Sequence, residues 1–377
     1  MPMDDLARLV AFPTVSNRPV TALASHLAER AEAVGFRVDL YPKPGDSEKV
    51  NVVASIGPED ADGLILSGHM DVVPTEGQPW DSDPFKLTEK EGLLYGRGTA
   101  DMKGFIACCL QACERLDLKK IRRQLVLIWT HDEEVGCQGS SLLVDALKKS
   151  PRRLPTECLI GEPTDFQIFR MHPGHVSVVI RTLGESAHSS KPDLGASSIK
   201  SMHKVLGLCE SIEEDLKTNR RLEEFLDRPW VAFNIGEIHG GKAVNLVPDS
   251  CEIVLGYRPL PGDDPLEVFR RIQAGLTELS LPEKTSVEAH IRTLSPALMS
   301  PEGLALQAAL SDHACSSSIG SASFGTDGGN LSSLGIQSLI FGPGSIDVAH
   351  KANEYVSREA LLKGARMVEE VIRDRCF

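Results

Sequence analysis

The chain has 377 residues, 41% hydrophobic and 25% charged, with a formal charge of -13. That length exceeds what one hydrophobic core usually supports, so two domains are expected. The acidic balance argues against nucleic-acid binding, which needs a clustered Lys/Arg footprint; the densest basic cluster, Lys119, Lys120, Arg122 and Arg123, reads as a solvated loop.

The start, Met1-Pro2-Met3-Asp4-Asp5, lacks the basic, apolar and small-residue order of a secretory signal, and no apolar run reaches membrane-spanning length. A cytoplasmic protein without membrane contact is therefore expected. Helical stretches then alternate with short strand-like runs: Leu23 to Val34, Val50 to Ile56, Leu64 to Leu66, Phe105 to Leu116, Leu125 to Trp129 and Cys158 to Ile160. This order predicts an α/β layer with a largely parallel sheet. The Phe105 helix follows the turn Gly96-Arg97-Gly98 and repeats apolar residues at Phe105, Cys108, Cys109, Ala112 and Leu116, the spacing of one buried face. Nine cysteines without a C-x-x-C pair suggest small buried apolar residues, neither a disulfide framework nor a thiolate zinc site.

From about His175 the texture changes. An alternating run Val176 to Thr182 precedes a polar helical stretch, Ile199 to Glu214, then strand-like Val231 to Ile235 and Glu252 to Arg258, and a helix-like Leu266 to Leu279. These elements suit a small α+β domain with an antiparallel sheet plus helices. The α/β texture returns with Leu304 to Ala314, Gln337 to Phe341 and a final helix from Arg358 to Arg373. The reading is one mixed, largely parallel-sheet catalytic domain, residues 1–174 and 290–377, with an insertion at 175–289.

Metal-capable side chains stand at the ends of these apolar runs. His69 and Asp71 close Leu64-Ile65-Leu66-Ser67-Gly68-His69-Met70-Asp71, and positions two apart on an extended chain face the same side. The Asp71 carboxylate can then accept the second ring N–H of His69 and leave the other nitrogen for a metal; a purely structural pair fits the same spacing. Asp101 precedes the Phe105 helix, where a helix cap is the plainer role. Glu133 and Glu134 end the strand-like Leu125 run, which suits one carboxylate as ligand and its neighbour as proton carrier. Glu162 follows Cys158 to Ile160, and His350 follows Leu339-Ile340-Phe341 after a Gly/Pro turn. Five such groups at the ends of five apolar runs favour a metal site, because ligands on open α/β sheets gather beyond the carboxyl ends of strands. Nitrogen and carboxylate donors without thiolate suit zinc, with cobalt or manganese as neighbours. If Asp101 bridges two ions, three carboxylates against two divalent cations leave a surplus of about one positive charge.

The motifs Gly68-His69-Met70-Asp71, Gly98-Thr99-Ala100-Asp101-Met102-Lys103-Gly104, Asp132-Glu133-Glu134, Gly161-Glu162-Pro163 and Ala349-His350 resemble, in order, those of the M20 metallopeptidase and deacylase family. Further similar stretches, Trp80 to Phe85, Tyr257 to Gly262 and Gly342 to Ile346 among them, run over nearly the whole chain. The resemblance implies a hydrolase for a small N-acyl amino acid with two Zn2+, for which Co2+ can substitute. It places His69, Asp101 and Glu162 on one zinc and Asp101, Glu134 and His350 on the other, with Glu133 as general base and Asp71 supporting the site. It also implies that the inserted domain is a dimerisation and lid domain, that His188 stabilises the oxyanion across a homodimer contact, and that Arg258 and Asn245 grip the substrate. Read from the residues alone, His188 is a loop histidine, and Arg258 fits a structural ion pair equally well. An acetylated amino acid, a succinylated one and a dipeptide all stay open as substrates, as does a catalytically silent binding protein.

Overall fold

The strands expected near Leu64, Leu125, Cys158 and Gln337 lie side by side and parallel in the computed structural model, which describes residues 1–59, 62–219, 223, 226 and 228–377. They span Gly63–His69, Gln124–Thr130, Glu157–Ile160 and Gln337–Ile340, in the spatial order Gln124, Gly63, Glu157, Gln337. Arg37–Lys43 and Asp46–Ile56 extend the Gln124 side as antiparallel strands. Phe169–His172 and two short strands extend the other, giving a nine-stranded mixed sheet.

The sheet is buried on both faces, and the two-residue period of a strand divides its side chains between two cores. Val52, Ala54, Leu64, Leu66, Leu125, Leu127 and Trp129 join one core with the helices Pro2–Val10, Thr21–Ala33, Lys103–Arg115 and Arg358–Cys376. The intervening Val53, Ile65, Val126 and Ile128 join a second with the helix Gln138–Leu147. Continuous apolar runs in the sequence are therefore strands covered from both sides. Cys108, Cys109 and Cys113 are buried in the first core, and none of the nine cysteines is in a disulfide.

The chain divides into two units, residues 1–171, 298–322 and 326–377 in the first and 172–297 with 323–325 in the second. The expected return at residue 290 falls inside the strand Ser286–Ser295, which is paired along its length with His175–Leu183 and so stays with the second unit. That unit is a four-stranded antiparallel sheet in the order Ala232–Gly240, Ser250–Arg258, His175–Leu183, Ser286–Ser295. Helices Ser198–Thr218 and Glu267–Glu278 cover one face. Cys251, Ile253, Leu255 and Tyr257 alternate into that face along one strand. Among the described residues, no helix is long and apolar enough to cross a membrane.

Candidate metal centre

Three of the four parallel strands deliver acid or imidazole groups directly at their carboxyl ends. His69 is the last residue of its strand, Glu133 and Glu134 follow Thr130 by three and four positions, and Glu162 follows Ile160 by two. The fourth strand leads through a longer loop to His350, which sits at φ 63°. Close packing beneath the site also constrains the sequence: a Cβ on Gly161 would fall 1.8 Å from the Phe105 ring, so only glycine lets Glu162 approach over that helix. Asp101 enters from the loop ahead of the helix Lys103–Arg115, and its peptide bond to Met102 is cis.

These groups converge. His69 Nε2 stands 2.9 Å from Asp101 Oδ1 and 4.0 Å from Glu162 Oε2. His350 Nε2 stands 3.1 Å from Asp101 Oδ2 and 3.0 Å from Glu134 Oε2. His69, Asp101 and Glu162 each offer a donor atom within 4.8 Å of the others, and so do Asp101, Glu134 and His350. Asp101 thus points one oxygen into each group. Glu134 Oε1 is buried without a hydrogen bond.

The electrostatics describe a site short of positive charge. Among the described residues no Lys or Arg forms an ion pair with Asp101, Glu133, Glu134 or Glu162. Burial, and then the nearby Asp101 charge, push Glu134 up to about 7 and raise Glu162 well above the usual carboxylate range. Burial likewise raises Glu133, with Glu134 and Asp327 adding to it against the opposing pull of His69. Asp101 is the exception: burial would raise it, but hydrogen bonds from His350 and His69 outweigh that and hold it low. Hydrogen bonds to Asp101 and Glu134 push His350 up to about 10. Protonated imidazoles supply the positive charge here, where divalent cations would supply more of it. The orphaned Glu134 oxygen, the mixed N/O donors and the carboxylate shared between two triads fit a pair of divalent cations.

Asp71 works differently from the expected pairing. Its backbone carbonyl, 2.9 Å away, accepts from His69 Nδ1, while its carboxylate lies 3.8 Å from that nitrogen. The carboxylate instead accepts from Ser16 Oγ at 2.8 Å and from the backbone N–H groups of Glu133 and Glu134 at 3.0 and 3.3 Å. Asp71 therefore fixes the turn that carries both glutamates, and the ring tautomer is set by main chain, which a side-chain motif cannot report.

Several groups outside the expected ligand set support the site. Glu354 accepts from the Ala100 and Asp101 N–H groups at 2.9 and 3.1 Å and pairs with Arg97 at 2.6 Å. Lys49 pairs with Asp132 at 2.6 Å, and Asp132, at φ 51°, also meets His131 Nδ1 at 3.1 Å. Asp132 and Arg97 lie in the Asp132-Glu133-Glu134 and Gly96-Arg97-Gly98 stretches, but their partners Lys49 and Glu354 carry no sequence signal.

In the second unit His188 and Asn245 are brought together. The Asn245 carbonyl accepts from Ser189 N at 3.0 Å, and His188 bridges to Leu246. Both residues are exposed, and His188 Nδ1 lies 2.7 Å from Ser190 Oγ. Arg258 ends the strand Ser250–Arg258, and burial lowers its pKa. No ion pair to Arg258 occurs among the described residues, so the structural ion pair weighed from sequence is absent there.

Residues 65–374 match the sequence profile of peptidase family M20/M25/M40. The chain belongs to that family. It is 33% identical over 378 residues to an acetylornithine deacetylase of Salmonella heidelberg (strain SL476), covering 98% of this chain and 96% of the relative. Its fold is similar to an M20 family metallo-carboxypeptidase from Sulfolobus solfataricus, with TM-score 0.79, 19% identity and coverage of 99% and 98%. A Bacillus subtilis protein described as a dinuclear metal binding peptidase from the M20 family is similar at TM-score 0.65, with 14% identity and coverage of 98% and 96%. Membership makes the chain a metal-dependent amide hydrolase.

Proposed function

We propose that this chain hydrolyses the amide bond of N2-acetyl-L-ornithine to L-ornithine and acetate, in the cytoplasm and as a step of arginine biosynthesis. The observation that carries the chemistry is the pair of donor triads sharing Asp101 beyond the ends of parallel strands, with Glu133 at their side. The substrate rests on the 33% identity to acetylornithine deacetylase across almost the whole chain. On this reading His69, Asp101 and Glu162 hold one Zn2+, and Asp101, Glu134 and His350 the other, with Co2+ as a substitute. The first unit is the catalytic domain, and the second is a dimerisation and lid domain that makes the enzyme a homodimer.

When bound, the two cations polarise the amide carbonyl and acidify a water. Glu133 takes the proton of the attacking water on its carboxylate and delivers it to the departing amine nitrogen, so one residue serves as base and then acid. Burial suits it to this exchange, because a carboxylate with a raised pKa holds the proton between the two transfers. Asp71 keeps Glu133 in reach through its backbone N–H. Arg258, half-buried and without a carboxylate partner among the described residues, binds the substrate carboxylate. Asn245, and His188 across the homodimer contact, bind the oxygen of the reacting carbonyl.

Replacing Glu133 with Gln tests the assignment. Turnover of acetylornithine is expected to fall by at least ~100-fold, the lower end for general acid–base steps, with both metals still bound. Activity above about 10% of wild type would overturn the role of Glu133. A panel including succinyl-diaminopimelate, acetylcitrulline and dipeptides decides the substrate, and faster turnover of any of these would displace acetylornithine.

A further inference from the structure

Behind the proposed base lies a third donor group that the two-cation site does not use. Glu133, Cys137 and Asp327 each place one donor atom within 4.8 Å of the other two. Cys137 stands one turn beyond Glu133, at φ 51° ahead of the helix Gln138–Leu147, and its Sγ lies 3.4 Å from Glu133 Oε1. Asp327 comes from the loop ahead of Gly328–Leu331 and is 2% exposed. Its Oδ2 accepts from Thr130 Oγ1 at 2.6 Å, whereas Oδ1 is buried and makes no hydrogen bond. The nearby Ser140 hydroxyl donates to the Cys137 carbonyl at 3.1 Å. Two carboxylates and a thiol gathered this closely, with no Lys or Arg ion pair to either acid among the described residues and one Asp327 oxygen left without a partner, form a donor set for a cation. A thiol at the same point selects for a thiophilic divalent ion.

We infer that Glu133, Cys137 and Asp327 form a third, inhibitory site for a thiophilic divalent cation such as Zn2+ or Cd2+. Binding displaces the Cys137 thiol proton to solvent and engages the Glu133 carboxylate, so the ion competes with the proton that Glu133 must carry. Metal added beyond two equivalents then slows hydrolysis. The inhibition rests on the role proposed for Glu133; the binding does not.

Cd2+ is the probe, added to the full chain in a Cys315→Ser background because Cys315 is the one exposed cysteine. Equilibrium dialysis is expected to give three bound ions per chain, and the ultraviolet thiolate-to-cadmium absorption should grow in only with the third. In the Cys137→Ser variant two ions should remain bound, the thiolate absorption should vanish, and inhibition by excess Zn2+ should weaken by at least ~10-fold, a low value for a changed metal environment. Only two ions in the parent chain, or thiolate absorption that survives Cys137→Ser, would overturn the site. Hydrolysis of no N-acyl amino acid alongside a normal third ion would instead sink the proposed activity and leave the site standing.

Discussion

Lys49 and Asp132 offer the most quantitative test of how the glutamate turn is held. The two are 4% and 2% exposed and 2.6 Å apart, and Asp132 precedes Glu133 and Glu134. Replacing Lys49 with Met removes the ammonium but keeps much of its apolar length. Asp132 is then left with His131 at 3.1 Å and a 3.5 Å contact from Asn17 N. Leaving one member of a buried pair uncompensated costs roughly 3–5 kcal/mol, a large part of the ~5–15 kcal/mol that holds a domain folded. The double change Lys49→Met with Asp132→Asn removes both charges. Asn also tolerates the left-handed backbone at this position, so the double variant should recover at least about half of the loss, a coupling well outside additive behaviour. Urea unfolding of the metal-loaded protein, followed by tryptophan fluorescence, measures all corners of the cycle. Because the turn carries the proposed base, kcat for Lys49→Met should fall by roughly 10–100-fold with KM little changed. A single-variant cost below about 1 kcal/mol, or a double variant no more stable than Lys49→Met, would refute the argument from an unpaired buried charge.

Glu354→Gln puts an amide nitrogen where either Arg97 or the Ala100 and Asp101 N–H groups need an acceptor. Metal affinity in chelator competition should fall ~10–100-fold, and unchanged affinity would show that Asp101 holds its place without Glu354. In the second unit, burial lowers His172 to about 4, against a partly offsetting hydrogen bond to the Pro173 carbonyl. Above pH ~6.5 the histidine is neutral folded or unfolded and contributes nothing; between about 6.5 and 4 only the unfolded chain takes the proton, so stability falls with pH, by roughly 2 kcal/mol from pH 7 to 5. His172→Asn should remove that part of the decline in urea unfolding, and identical pH dependences would rule it out. Chelation of the metal-loaded protein should lower its stability by about 3 kcal/mol for each cation present at a hundred times its Kd; a melting temperature indifferent to chelator would argue that neither donor triad holds metal.

The sheet was legible because its central strands are short continuous apolar runs, a property that neighbours in sequence carry by themselves. The residues at the ends of those runs were legible for the same reason, and the structure gathers His69, Asp101, Glu134, Glu162 and His350 together. What the sequence did not disclose lies in pairings across long separations. Lys49 and Asp132 are 83 positions apart, Glu354 and Asp101 are 253, and Thr130 and Asp327 are 197. Nothing local marks Lys49 or Glu354 as different from a solvated charge. The contact of Asp71 with His69 has a different origin. Period two correctly puts its side chain on the face of His69, but the chain turns after His69, and the carbonyl reaches the ring before the carboxylate does. The helix Gln138–Leu147 has no start signal in the sequence, because its N-terminus carries no capping side chain and begins from a left-handed cysteine.

These supporting pairs share a logic that bears on why the centre needs metal at all. Three basic side chains are buried close to the proposed ligands in sequence or space, and each is directed elsewhere: Arg97 to Glu354, Lys49 to Asp132, and Lys103 to the Phe12 carbonyl at 2.8 Å. Any of them turned towards Glu134 or Glu162 would neutralise a carboxylate and weaken its hold on a cation. Buried acids left with only imidazole for company are unfavourable in the bare chain, and burial expresses that by raising Glu133, Glu134 and Glu162. Free energy withheld from the folded apo chain is recovered when a cation binds, so the same arrangement that costs stability supplies metal affinity. The second carboxylates, Glu354 and Asp132, absorb the neighbouring basic charge and turn it into scaffolding. The centre is thereby defined as much by where its basic residues are tied down as by the acids and histidines that face it.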